Sequence, residues 1–199
     1  MAGKPVIGVL ALQGCVDRHQ PHIEAAGGVF RAVKTAEEIN SVDAFILPGG
    51  ESTTMLKLID VFGLWDVLAK NFAAKPVWGI CAGSILMADK VWVDEAKTKT
   101  QKSFGLIPVE IVRNGYGRQR DSHIGKVDGY DVSFIRAPVV TGIADTVEVL
   151  AQEGDVPVWL RYGKNHLTSF HAELNLDAPS PMHRLFVESV LDGTQKQRA

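Results

Sequence analysis

Apolar runs recur through the first half of the chain, and each is followed by a stretch with helical spacing. Val6–Leu12, "VIGVLAL", is continuously apolar rather than alternating, the pattern of a strand buried on both faces. A helical stretch with His22, Ile23, Ala25 and Ala26 follows, and Gly27-Gly28 supplies its stop. "VFRAV" predicts a second strand and "AEEIN" a short helix. Val42–Gly50, "VDAFILPGG", predicts a third strand closing in a Pro-Gly-Gly turn. Ser52 or Thr53 can then cap a helix carrying Met55, Leu56, Ile59 and Phe62. "LWDVLAKNF" predicts another helical piece and "KPVWGI" a fourth strand. This alternation predicts an α/β layered fold with a mainly parallel sheet.

The second half changes character. "LIPVEIV", "YDVSFIRAP", "VEVLAQ", "VPVWLRY" and "HLTSFHAEL" are short β patterns joined by Gly, Asp and Pro turns. They predict antiparallel strands and the last additions to the sheet. "SPMHRLFVESVLDG" predicts a closing helix with Pro181 near its start, Met182, Leu185, Phe186 and Val190 on one face, and Gly193 as its stop. With no linker, repeat or low-complexity segment, one domain over 1–193 is expected, with 194–199 as a frayed tail.

Composition narrows the function classes. A chain of 199 residues can bury a substantial core, and a net charge of -2 gives no electrostatic footprint for nucleic acid or an anionic membrane. Two cysteines, Cys15 and Cys81, cannot build a disulfide framework and suit a reducing compartment. No apolar run approaches the ~20 residues that cross a bilayer, and the start lacks a secretory h-region. A cytoplasmic location is expected.

The chemistry concentrates at Gly79-Ile80-Cys81-Ala82-Gly83, where a strand runs into a helix through a cysteine. A nucleophile at the tip of such a turn needs small neighbours on either side so that strand and helix can approach. The turn lifts the thiol out of the sheet's carboxyl end, at a helix N-terminus whose dipole favours thiolate. Packing like a small apolar residue is the commoner fate of a free cysteine; Cys15 has no glycine frame and is expected to follow it. A thiol nucleophile needs a base, and the base an orienting group. His171, in "SFHAEL", is the candidate base: in an extended segment Glu173 shares its face and can orient the imidazole. Taken alone, a partly exposed His–Glu pair at a strand end is the plainer reading. His183 reads as a packing or surface residue, and His123 and His166 carry no motif. His19 and His22 lie one turn apart without the partners a metal needs, so no metal is expected. Pro48–Thr54, "PGGESTT", leaves backbone amides bare before a helix, a concavity suited to a carboxylate, phosphate or oxyanion; a plain tight turn also needs such glycines.

Together these residues resemble the class I, triad-type glutamine amidotransferases, and more narrowly the glutaminase subunits of pyridoxal 5'-phosphate (vitamin B6) synthase. The resemblance rests on "IGVLALQG", "LPGGESTTM", "GICAG", "RNGYGRQRDS", "FIRAP" and "SFHAEL". It implies a three-layer, flavodoxin-like fold with helices on both faces of a mostly parallel sheet. The implied reaction is hydrolysis of L-glutamine to L-glutamate and ammonia by Cys81, His171 and Glu173, without a cofactor. Gly50 and Ala82 would supply oxyanion amides. Gly49, Gly50, Glu51, Arg113, Ile135 and Arg136 match the family's glutamine-binding positions, and Gln13 lies near its oxyanion site and partner surface. The implied partner is a (β/α)8-barrel synthase subunit in a large hetero-oligomer. Ala172 stands where the family has proline, Ser84 where it has leucine, Tyr116 and His123 where it has phenylalanine, and Arg120 adds a charge. Glutaminases of other pathways, such as histidine biosynthesis, share the triad but not "GGESTT" and "FIRAP". A thiol hydrolase akin to dienelactone hydrolases would place its acid before the histidine, and a silent docking module would not need an intact triad.

Overall fold

The computed structural model describes residues 3–113 and 122–196, so Tyr116 and Arg120 lie outside the described residues. The first half alternates as expected: β1 (Val6–Leu10), α1 (Gln20–Ala25), β2 (Val29–Val33), α2 (Ala36–Asn40), β3 (Ala44–Leu47), α3 (Ser52–Val61), α4 (Trp65–Ala74), β4 (Val77–Ile80) and α5 (Ala82–Met87). The second half supplies β5 (Ala88–Trp92), β6 (Thr100–Gln101), β7 (Ile107–Val112), β8 (His123–Val127), β9 (Tyr130–Phe134), β10 (Val139–Ile143), β11 (Glu148–Glu153), β12 (Val156–Tyr162), β13 (Asn165–Thr168) and α6 (Pro181–Lys196).

A seven-stranded sheet of order β11-β12-β13-β4-β3-β1-β2 forms the middle layer. Its five strands from β13 to β2 run parallel, while β11 and β12 add an antiparallel edge. Successive residues of each central strand serve opposite faces. Leu10, Phe45 and Leu47 pack with Met55, Leu68, Phe72 and Leu86 on one side. Val9, Ile46 and Trp78 pack with Ile23, Phe186 and Val190 on the other. Helices α2 to α5 therefore cover one face and α1 and α6 the other, which explains why β1, β3 and β4 read as unbroken apolar runs. All four residues of β3 and of β4 are buried.

The second half departs from expectation in four ways. β13 joins the main sheet antiparallel to β12, as expected, but parallel to β4. β5 leaves α5 with no loop and pairs in parallel with β7, inside a separate four-stranded sheet of order β10-β7-β5-β6. β8 and β9 form a hairpin of their own, turned by Asp128-Gly129, both with positive φ; such a turn matches the right-handed twist of the strands it joins. Gly193 does not stop α6: it takes no left-handed conformation, and the helix runs through it to Lys196. Glycine costs a helix interior about 1 kcal/mol but terminates it only as a left-handed cap. No helix among the described residues is long and apolar enough to cross a membrane.

Candidate active site

The elbow forms as the sequence predicts. Cys81 follows the last residue of β4 and precedes the first of α5, with φ 49 and ψ -103. A non-glycine residue held there costs on the order of 1–3 kcal/mol, so its surroundings must over-determine it. A Cβ on Gly83 would run into the Leu47 carbonyl, and one on Gly79 would sit 2.6 Å from the Met87 sulfur. Only glycine lets α5 lie this close to β3 and β4. The Cys81 N–H donates to the Thr168 carbonyl at 2.8 Å, tying the tip of the turn to the end of β13. Ser84, in place of the family's leucine, reinforces that tie: its hydroxyl lies 2.6 Å from the Thr168 carbonyl and 2.9 Å from that of Gly79.

His171 reaches the thiol by another route than expected. β13 ends at Thr168, so the His171 segment no longer belongs to a strand of the main sheet. His171 is instead bridged to Ser133 of β9, its N–H donating to the Ser133 carbonyl at 2.8 Å and its carbonyl accepting at 3.1 Å. Nδ1 lies 2.6 Å from Glu173 Oε1, and Glu173 is fully buried behind the ring. Ala172 is also buried. The Tyr130 hydroxyl sits among the carbonyls of Ala172, Asn175 and Ala178, at 3.4, 2.8 and 3.0 Å, and pins the segment where the family uses a proline ring.

Electrostatics follow from this placement. Burial by itself pushes His171 down, but interaction with Cys81 and the hydrogen bond and charge of Glu173 outweigh it, raising the imidazole to about 10. Burial likewise opposes ionisation of Glu173, yet the His171 hydrogen bond and the charges of His19 and His171 hold its carboxyl below the usual range. The pair thus favours imidazolium beside carboxylate, a charge-assisted hydrogen bond shielded from water.

Cys81 and His171 open onto a cavity of about 350 Å³. Gly49, Gly50, Glu51, Ala82, Arg113, Ile135 and Arg136 line it too, so every expected binding residue converges on one site, while Glu173 stands behind it. The Gly-Gly turn after β3 packs against His171 so closely that a Cβ on Gly49 would strike the imidazole. Gln13 Oε1 accepts from the Glu51 N–H at 2.8 Å and fixes the same turn from the β1 side. Cys81 Sγ lies 3.8 Å from the Ile135 carbonyl. At the mouth, Arg136 at φ 45 pairs with Glu51 at 3.2 Å. Arg113 brings a buried Nε that no described residue accepts from.

Two features differ from the sequence reading. Cys15 is half-buried on the cavity wall rather than packed in a core, because Gly14, at φ 104, turns the chain after β1 toward Gly49. His19, His22 and His183 form a buried group in which His183 stacks on His22 and meets the edge of Trp78. His19 Nδ1 lies 2.9 Å from His183 Nε2, a pairing across 164 residues of sequence that no local pattern announces. His22 Nδ1 accepts from the Ser180 N–H and its Nε2 lies 3.3 Å from the Glu173 carbonyl.

The chain is similar to known proteins over most of its length. The pyridoxal 5'-phosphate synthase subunit PdxT of Solibacter usitatus is 41% identical over 196 residues, covering 92% of this chain and 98% of the relative. That of Geobacillus thermodenitrificans is 44% identical over 188 residues, covering 90% of each. A crystal structure of a glutamine amidotransferase superposes with a TM-score of 0.80 at 36% identity, over 92% of this chain and 98% of the other. A putative GMP synthase subunit from Thermoplasma acidophilum, 14% identical, shares the fold with a TM-score of 0.65 over the full length of both chains. The model of the SNO glutamine amidotransferase family matches residues 9–192, and the chain belongs to that family.

Proposed function

We propose that the chain is a glutaminase that hydrolyses L-glutamine to L-glutamate and ammonia, and that it supplies the ammonia to a synthase subunit making pyridoxal 5'-phosphate. The observation that carries the reading is the alignment of Cys81 at the elbow, His171 beside it and Glu173 2.6 Å behind the imidazole, at one end of a cavity lined by Glu51, Arg113 and Arg136.

Cys81 Sγ attacks the side-chain amide carbon of glutamine, and the oxygen takes up the negative charge. The Ala82 N–H is one of the amides a helix leaves unpaired at its start, and Gly50 flanks it across the cavity. His171, already protonated in its pair with Glu173, gives its proton to the amide nitrogen, so that ammonia leaves and a thioester remains. Water then attacks the thioester, its proton goes to His171, and glutamate leaves as the Cys81 sulfur is released. Glu173 fixes the ring through Nδ1 and stabilises its charged form. The Arg113 Nε and Arg136 suit the substrate's α-carboxylate, and Glu51 its ammonium group. The Ile135 carbonyl and the Gly49 turn complete the walls.

The family and the names of the relatives support the pathway, and a barrel-shaped synthase in a large hetero-oligomer is the partner proposed. Glutamate release is to be measured with and without a pyridoxal 5'-phosphate synthase subunit. Release that depends on Cys81 and rises with the synthase is expected. Release indifferent to the synthase would remove the pathway, and none in either condition would remove the activity.

A further inference from the structure

The triad ends at Glu173 only if one of its oxygens is ignored. Oε1 accepts from His171, and the backbone carbonyl accepts from His22. Oε2 is buried and bonded to no described residue. His19 Nε2 is in the same condition, on a ring that is fully buried. The two groups are neighbours in charge: His19 draws Glu173 toward its ionised form, and Glu173 favours protonation of His19. We propose that His19 is a positioning residue for the reaction, its Nε2–H serving Glu173 Oε2 through one buried water and its Nδ1 accepting from His183.

The tautomers decide between this arrangement and its reverse. If His19 carried its proton on Nδ1, it would donate to His183 Nε2. A lone pair would then face the carboxylate, and the His183 Nδ1–H would be a buried donor without an acceptor. If His183 Nε2–H donates instead, His19 Nε2–H is free for Oε2, and only the His183 Nδ1 lone pair is left over. A bridging water can serve Glu173 Oε2 in either arrangement, so the difference lies at His183 Nδ1, a stranded N–H donor in the first and only an unused lone pair in the second. Buried N–H groups are left unpaired more rarely than buried acceptors, which favours the second. It requires uncharged rings, and burial, the first cause in each case, holds His19 at about 4 and keeps His22 and His183 below their ordinary value. Such a water would have His19 Nε2 and Glu173 Oε2 as its two polar partners, the fewest a buried water takes.

The groups facing this cluster are few. Glu173 meets His171, His19 and His22, and its charge also opposes ionisation of Cys15 and Tyr130. His19 meets Glu173, His22, His171 and His183. Removing the His19 donor deprives Glu173 of a partner for its charged form, so the acid limb of the rate profile moves to higher pH.

The inference rests on the glutaminase reading, and its tests keep the two apart. Nitrogen-15 histidine NMR of the full chain at neutral pH should show His19 protonated on Nε2 and His183 on Nε2; an Nδ1-protonated His19 overturns the proposal whether or not the protein is active. Against active wild-type enzyme, His19→Phe should lower kcat roughly tenfold or more, with KM little changed and the acid limb raised, since a hydrogen bond to a charged group is lost. His19→Gln, which restores an N–H donor, should recover most of that loss. A folded His19→Phe with the wild-type kcat and an unmoved limb overturns the proposal.

Discussion

The His171–Glu173 pair has two sides, built on opposite terms. Toward the cavity it meets a strained Cys81, a glycine turn without side chains and an exposed Glu51–Arg136 pair at the mouth. Away from it, three buried histidines, Trp78 and Phe186 pack without access to water. The first side must admit a substrate, so it spends conformational strain and leaves the Arg113 Nε without a described acceptor. The second must not move, so it pairs most of its polar atoms internally, with His19 Nε2, His183 Nδ1 and Glu173 Oε2 the exceptions. A carboxylate at zero exposure is tolerated only because both sides supply positive or donating partners.

The contrast can be broken on either side. Cys81→Ala should lower glutamate release roughly 10⁴-fold or more, since removal of a nucleophile leaves only what binding and the oxyanion amides contribute; circular dichroism should show the fold unchanged. Appreciable turnover in that variant would mean that the thiol is not the nucleophile. Glu173→Gln should cost roughly 10²-fold or more in kcat, because the buried amide cannot hold the imidazolium. A rate near wild type would make the carboxylate a bystander. On the open side, Arg136→Ala should raise KM for glutamine roughly tenfold while changing kcat less, since a charge-assisted contact binds substrate and transition state alike. A fall confined to kcat would move Arg136 from binding to chemistry.

The closed side should also dominate the response of stability to pH. His19 and His166, both held at about 4 by burial, have folded values below the unfolded one. The unfolded chain therefore takes up protons first, and stability falls as pH drops from about 6.5 to about 4, by on the order of 3 kcal/mol for each. Glu173, depressed in the fold, contributes stability above its ordinary value that is lost with further acidification. His171, raised to about 10, works the other way: its contribution is complete below 6.5 and disappears as pH climbs through 10. Urea midpoints across this range should trace a dome, and a midpoint flat between pH 6.5 and 4 would contradict the burial of neutral histidines.

What could be read from the sequence was local in the chain. The elbow announces itself because strand, glycine, cysteine, glycine and helix are consecutive, and β1, β3 and β4 because burial on both faces leaves no polar residue among them. His171 and Glu173 were legible by their spacing, although the reason given for their shared orientation, an extended strand, was not the one that operates: a bridge to Ser133 aims the imidazole. The Asp128-Gly129 pair is a hairpin signal legible in the sequence. β5 was concealed because "ADKVW" continues the α5 pattern without a break, and its strand character comes from pairing with β7. The histidine cluster was illegible for a plainer reason. His19, His22 and His183 look like isolated polar residues until α1 and α6 are packed on the same face of the sheet.

The most direct test uses the two thiols that share one cavity. The protein is to be treated with an electrophilic glutamine analogue and its peptides mapped by mass spectrometry, with and without excess glutamine. Modification of Cys81 alone, suppressed by glutamine and absent in His171→Ala, is the predicted result. Labelling of Cys15 in preference to Cys81, or of neither, would contradict the assignment of Cys81 as the nucleophile.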